Sequence, residues 1–96
     1  MILIYGGVAV DPSKVEDVTA AAVDFVAASN AEDNCVTYTL SWDATEPNRI
    51  RLVEAWADAD AHLAHTQQQH TIDWTTLISS AAIEAPAFFK YEATAL

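Results

Sequence analysis

His62, His65 and His70 fall in one short stretch, with Glu54 a few residues before it, so a base and an acid lie close together in the chain. Neutral imidazole titrates near neutral pH and suits removal of a proton from a weak acid such as a phenol. His62 and His65 stand one helical turn apart, so their rings can converge. No further ligand sits at a dependable metal-binding spacing and the His-Glu-x-x-His signature is absent, so no metal is expected. Glu54 precedes Trp56 by two residues. In an extended segment the two share a face with Ile50 and Leu52, where an unpartnered carboxylate is costly to bury. Arg49 and Arg51 point the other way, which leaves His62, His65 or a residue of a second subunit as partner. A structural ion pair and a proton-handling role both fit Glu54. Trp56, Tyr38 and Trp42 fit the core as readily as a pocket wall. Cys35, the only cysteine, fits a buried thiol on a strand better than a nucleophile, and suits a reducing, cytoplasmic interior.

The elements that would position these groups follow from periodicity. Ile2 to Val10 is rich in β-branched residues and predicts a strand with Ile2, Ile4, Val8 and Val10 on one face. Gly6 and Gly7 interrupt it, as a bulge or a close approach by another group would require. Asp11-Pro12-Ser13 opens a helix: Asp11 suits the N-cap and Pro12 the first helical position. Val15, Val18, Ala22, Phe25 and Val26 recur at helical spacing as its buried stripe. A polar turn over Asn30 to Asn34 leads to a strand from Cys35 to Trp42, with Val36, Tyr38, Leu40 and Trp42 on its apolar face. A hairpin loop containing Pro47 leads to a third strand from Arg49 to Trp56. Asp58 caps a short helix to about His65. A further helix from about Gln68 to Ser80 buries Ile72, Trp74, Leu77 and Ile78 in part. Ala82 to Glu92 is a last strand, and Pro86 puts it at an edge or on a bulge.

The order β-α-β-β-α-β is the split βαβ pattern of a ferredoxin-like α+β fold, here one domain over residues 1–96. Helices cover one face of its antiparallel sheet. The other would carry Leu3, Tyr5, Val53 and Ala55, too apolar for water, and a two-fold homodimer packing sheet on sheet would bury it. Apolar residues make up 52% of the chain, which excludes disorder. Four Lys and Arg against 14 Asp and Glu give a net charge of −10, which repels nucleic acid and anionic membrane surfaces alike. No apolar run approaches the roughly 20 residues of a membrane span, and the Met-Ile-Leu-Ile-Tyr start lacks the basic region of a signal peptide.

From Asp33 to His70 the chain reads DNCVTYTLSWDATEPNRIRLVEAWADADAHLAHTQQQH. This resembles the antibiotic biosynthesis monooxygenase family: a small-residue turn, a Tyr strand, a loop, Glu-x-Trp, then an Ala-rich short helix ending in His with a second His shortly after. Tyr38, Glu54, Trp56, His65 and His70 are the matching residues. The resemblance implies a dimeric α/β barrel with a pocket between sheet and helices. Several members oxidise polycyclic phenols or quinols with molecular oxygen and no cofactor. Asn34 replaces the family's turn glycine and also tolerates left-handed backbone geometry. Haem-degrading relatives carry an Asn in the first strand, where Gly6 stands here, and a helix Trp roughly where His65 stands, so haem chemistry is not expected.

The expected function is therefore a cofactor-independent monooxygenase acting on a small aromatic phenol, quinol or polyketide-like substrate with O2. His65 is the expected base, with His62 beside it and Glu54 orienting a histidine. Trp56, Tyr38, Leu52, His70 and Trp74 are the expected pocket residues. The alternatives are a non-catalytic dimeric barrel that binds an apolar ligand or a partner, or an oxygen-independent reaction such as isomerisation on the same scaffold.

Overall fold

The computed structural model describes residues 1–96. Its elements are β1 (Ile2–Ala9), a 3-10 turn over Pro12–Lys14, α1 (Val15–Asn30), β2 (Cys35–Trp42), β3 (Arg49–Trp56), α2 (Ala59–Thr66), α3 (Gln69–Ala81) and β4 (Ala87–Glu92). The four strands form one sheet in the order β2-β3-β1-β4, every neighbouring pair antiparallel, which is the ferredoxin-like arrangement. No helix is long and apolar enough to cross a membrane.

Side-chain alternation sends Ile2, Ile4, Val8, Ile50, Glu54 and Trp56 to the face that the helices cover, as the sequence predicts. Two apolar clusters fill the space between. Ile2, Ile4, Phe25, Tyr38, Trp56 and Ala61 form one; Val8, Val10, Val18, Ile50 and Ala81 form the other. Phe25 of α1 joins the layers, stacking on Trp74 of α3 at 5.0 Å and meeting Tyr38 edge-on at 5.2 Å. Asp11 accepts from the Ser13 amide at 2.9 Å and so caps the 3-10 turn; the α-helix proper starts three residues later than Pro12 suggests.

Four expectations are corrected. The register shifts between Cys35 and Thr37, so a bulge turns Val36 out to solvent and brings Cys35 onto the covered face. The bulge follows Asn34, whose φ of 62° is the only positive value in the chain. Asn30 braces the same region, donating to the Tyr38 carbonyl at 2.9 Å and accepting from the Tyr38 amide at 3.0 Å. Second, β4 begins at Ala87 rather than Ala82. Ala82 makes an isolated bridge to Val10, and the Glu84 carboxylate accepts from the Ala9 amide at 3.0 Å where a strand carbonyl would otherwise serve. Pro86, without an amide hydrogen, ends that irregular stretch, and β4 lies at the sheet edge. Third, Ile72 is exposed, because the inner face of α3 runs through Trp74, Ile78 and Ala81 instead. Fourth, Ala55 is buried on the uncovered face, between its register partners Leu3 and Thr37.

Part of that face is open and apolar, while Thr39, Ser41 and Arg51 make its β2 side polar. Tyr5, Val53, Phe89 and Tyr91 are all exposed, with the Tyr5 ring stacked on Phe89 at 5.1 Å and on Tyr91 at 6.1 Å. The register of β1 is unbroken, so the glycine pair marks a close approach and not a bulge. A Cβ on Gly6 would strike the Ala87 carbonyl oxygen and reach within 2.7 Å of the Phe88 ring.

Candidate functional site

Asp58 accepts from the Ala61 amide at 2.8 Å and fixes the start of α2. One turn in, Ala61 and His65 share the buried side of this short helix, while His62 takes a flanking, half-buried position. The His65 ring sits in an aromatic cage, with Trp56 at 4.6 Å, Tyr38 at 5.3 Å and Phe25 at 5.9 Å. Its Nδ1 lies 2.6 Å from Oε2 of Glu32, and Nε2 of His70 meets the same oxygen at 2.9 Å. An ionised carboxylate only accepts, so both ring nitrogens donate. His65 therefore carries its proton on Nδ1 when neutral, leaving Nε2 with a free lone pair and no partner in the chain.

A second network lies beside the first. Trp56 Nε1 donates to Oε1 of Glu54 at 2.8 Å, and His62 Nε2 makes a longer 3.5 Å contact to the same oxygen. Lys90 Nζ lies 3.2 Å from His62 Nδ1. An ammonium only donates, so Nδ1 of His62 accepts and its proton sits on Nε2, facing Glu54. Burial raises the Glu54 carboxyl above its ordinary range, opposed by the indole hydrogen bond and by His65. Burial lowers His62, helped by the Lys90 and His65 charges, so this imidazole stays neutral at pH 7. Burial also pushes the Tyr38 phenol well above its usual range, so it does not serve as a base.

Both networks face a cavity of about 330 Å³ between the sheet and helices α2 and α3, near the lower limit for small-molecule sites. Ile4, Phe25, Tyr38, Leu52, Trp74, Ile78 and Phe88 give it apolar walls, Glu54, His62, His65 and Lys90 supply its ionisable groups, and Thr66, Thr71, Thr75 and Ser79 add hydroxyls. Of the residues expected from sequence, His65, His62, Glu54, Tyr38, Leu52 and Trp74 line it. Trp56 does not: it is fully buried behind the cavity, where it holds Glu54. His70 does not either; it faces a separate cavity with Ala28, Asp73 and Leu77.

The expected pairing of Glu54 with a histidine holds for His62, whereas His65 is oriented by Glu32. Sequence reasoning missed Glu32 and Lys90. Glu32 sits in a turn with no periodicity to give it a direction. Lys90 was detectable, since strand alternation from Phe88 puts it on the covered face opposite Ile4.

Glu32, His65 and His70 present three ligand atoms within 4.8 Å of one another, a set chemically suited to a divalent cation. Donors on a tetrahedral zinc stand about 3.3 Å apart at ordinary bond lengths. The two N···O separations of 2.6 and 2.9 Å are hydrogen-bond lengths instead, so the trio is arranged as a proton-sharing cluster.

The chain is thus a ferredoxin-like α+β protein with a mostly apolar cavity and an oriented imidazole inside it. Comparison with known proteins agrees on the class. The family profile of the antibiotic biosynthesis monooxygenases matches residues 1–76. A crystal structure of an antibiotic biosynthesis monooxygenase superposes with a TM-score of 0.92, covering 99% of this chain and 100% of that one at 20% identity. A conserved protein from Methanosarcina mazei gives 0.90 over 97% of this chain and 92% of its own, at 18% identity. At such identities the likeness speaks to the fold. An uncharacterized protein from Synechocystis sp. is 32% identical over 66 residues, which make up 69% of this chain and 45% of that protein. The chain therefore spans less than half of that relative's length. It belongs to the antibiotic biosynthesis monooxygenase family.

Proposed function

We propose that this chain is a cofactor-independent monooxygenase that oxidises a small aromatic phenol, quinol or polyketide-like substrate with O2. The observation that carries this reading is the His65–Glu32 hydrogen bond, which leaves Nε2 of a cavity-lining imidazole free to take a proton. In an anthrone-like substrate, His65 removes the proton of the enol hydroxyl, and Glu32 steadies the imidazolium that results. The electron-rich anion passes one electron to O2, and the radical pair combines to a peroxide at the ring carbon. Cleavage of the O–O bond leaves one oxygen as the new carbonyl. The other departs as water with the two hydrogens the substrate has lost, one of them returned by His65. The aromatic walls exclude water and hold the ring system.

Assembly belongs to the same reading. Tyr5, Val53, Phe89 and Tyr91 form an apolar surface that a second copy would cover sheet to sheet, giving a homodimer. Oxygen consumption by metal-stripped protein against a panel of hydroquinones and anthrone-like phenols tests the chemistry. Uptake above the spontaneous rate, with a quinone product and loss in His65→Ala, is the expected result. Ligand binding with no uptake across the panel would move the assignment to a non-catalytic barrel, and a product of unchanged mass to an isomerase-type reaction.

A further inference from the structure

The four cationic side chains of this chain are Lys14, Arg49, Arg51 and Lys90. Arg49 is clamped by Glu46 and Glu84, each at 2.6 Å, and Arg51 is paired with Asp43 at 2.5 Å. Lys14 lies on the 3-10 turn, away from the cavity. Lys90 is the one cation that lines the cavity, and no carboxylate lies within ion-pair distance of it despite the 14 acids of the chain. Glu92, two residues on along the same edge strand, makes no ion pair with it. Its single polar contact is to His62, a neutral acceptor. An ammonium has three donors and only one is engaged here, while Glu54 in the same cavity feels the Lys90 charge without reaching ion-pair distance.

We infer that the cavity takes a fused-ring aromatic carboxylate whose charged end is received by Lys90 at the β4 rim. Position supports the polarity of this arrangement. Lys90 is exposed on an edge strand, whereas His65 is 3% exposed at the inner end among aromatic rings. A ligand bridging the two needs one ionised end, a flat apolar body and one interior polar group. Size supports the fused ring: a cavity of about 150 Å³ accepts benzene, and this one is about twice as large. Charge supports specificity, because a chain of net charge −10 repels free anions except where an unpaired cation faces them. The inference rests on the proposed function only for the interior phenolic hydroxyl that His65 would deprotonate; the recognition of the carboxylate stands apart from it.

The test is equilibrium binding by the full chain of 2-naphthoate and of its neutral isostere 2-naphthamide, read by calorimetry, with Lys90→Met and Lys90→Arg alongside. The unmodified protein is expected to bind naphthoate about tenfold or more tightly than the amide, the range of a hydrogen bond to a charged group. Lys90→Met removes that preference, Lys90→Arg retains it, and raising salt weakens naphthoate more than the amide. Equal affinity for the two probes, a preference that survives in a folded Lys90→Met, or binding of neither probe overturns the inference. This test reads binding alone, so charge-selective binding together with no oxygen uptake across the hydroquinone and anthrone panel would sink the monooxygenase reading and leave this one standing.

Discussion

Glu32 and His65 lie 33 residues apart in sequence and 2.6 Å apart in space, joined by a hydrogen bond from Nδ1 to Oε2. The bond links the turn after α1 to the buried side of α2, and the same oxygen extends the link to His70 at the start of α3. One carboxylate therefore sets the tautomer of His65 and anchors two helices.

Removing that carboxylate leaves two ring N–H groups without their acceptor. Glu32→Ala is expected to cost about 1–3 kcal/mol of stability, read from urea unfolding. Glu32→Gln keeps the shape and one acceptor but loses the charge, so it folds with a smaller penalty. Turnover should nonetheless fall by about ten- to a hundredfold, because imidazolium formation is no longer supported. Full activity in Glu32→Gln would assign Glu32 a purely structural part.

Glu54 gives a pH-dependent prediction. A carboxyl raised in the fold contributes stability below its unfolded pKa and loses it as pH climbs through the folded value. Glu54→Gln preserves an acceptor for the Trp56 indole and has nothing to ionise. Its Tm relative to the unmodified protein should be near parity at about pH 4 and rise toward pH 7. His62 has the opposite sign: lowered in the fold, it contributes stability above its unfolded pKa that is lost as pH falls through the folded value. His62→Gln should therefore flatten the acid side of the stability curve.

The uncovered sheet face predicts assembly. Tyr5→Lys puts a charge at the centre of the stacked Tyr5, Phe89 and Tyr91 rings. Sedimentation should show the unmodified chain as a dimer and the variant as a monomer or a markedly weaker dimer. A monomeric unmodified chain would leave that apolar surface to some other partner.

Asn34 predicts a local backbone effect. At a φ of 62°, an Ala costs about 1 kcal/mol or slightly more, and a Gly stays close to neutral. Thermal unfolding of Asn34→Ala and Asn34→Gly distinguishes this from a role for the Asn side chain, which would make both variants equally weak.

Strands β2 and β3 were legible to the residue, Cys35–Trp42 and Arg49–Trp56, because aromatic and β-branched residues alternate along them and polar turns flank them. The bulge was not, because Cys35 and Val36 are both apolar and either satisfies the inward pattern. β4 was placed too early because Ala82 and Ile83 have strand-like character, while the Glu84 side chain replaces the expected ladder bond. In the site, the histidines announced themselves by type and spacing. Glu32 did not, since an acid in a polar turn reads as solvated until tertiary structure folds α2 against it.

Gly6 has a bearing on engineering. Its inward face lies between Leu52 and Phe88, both of which wall the cavity, and a side chain there would have to push the β4 edge outward. The inner width of the chamber is thus governed at a position that bears no functional group and touches neither imidazole. A substitution at Gly6 therefore changes the room inside the chamber without altering either imidazole.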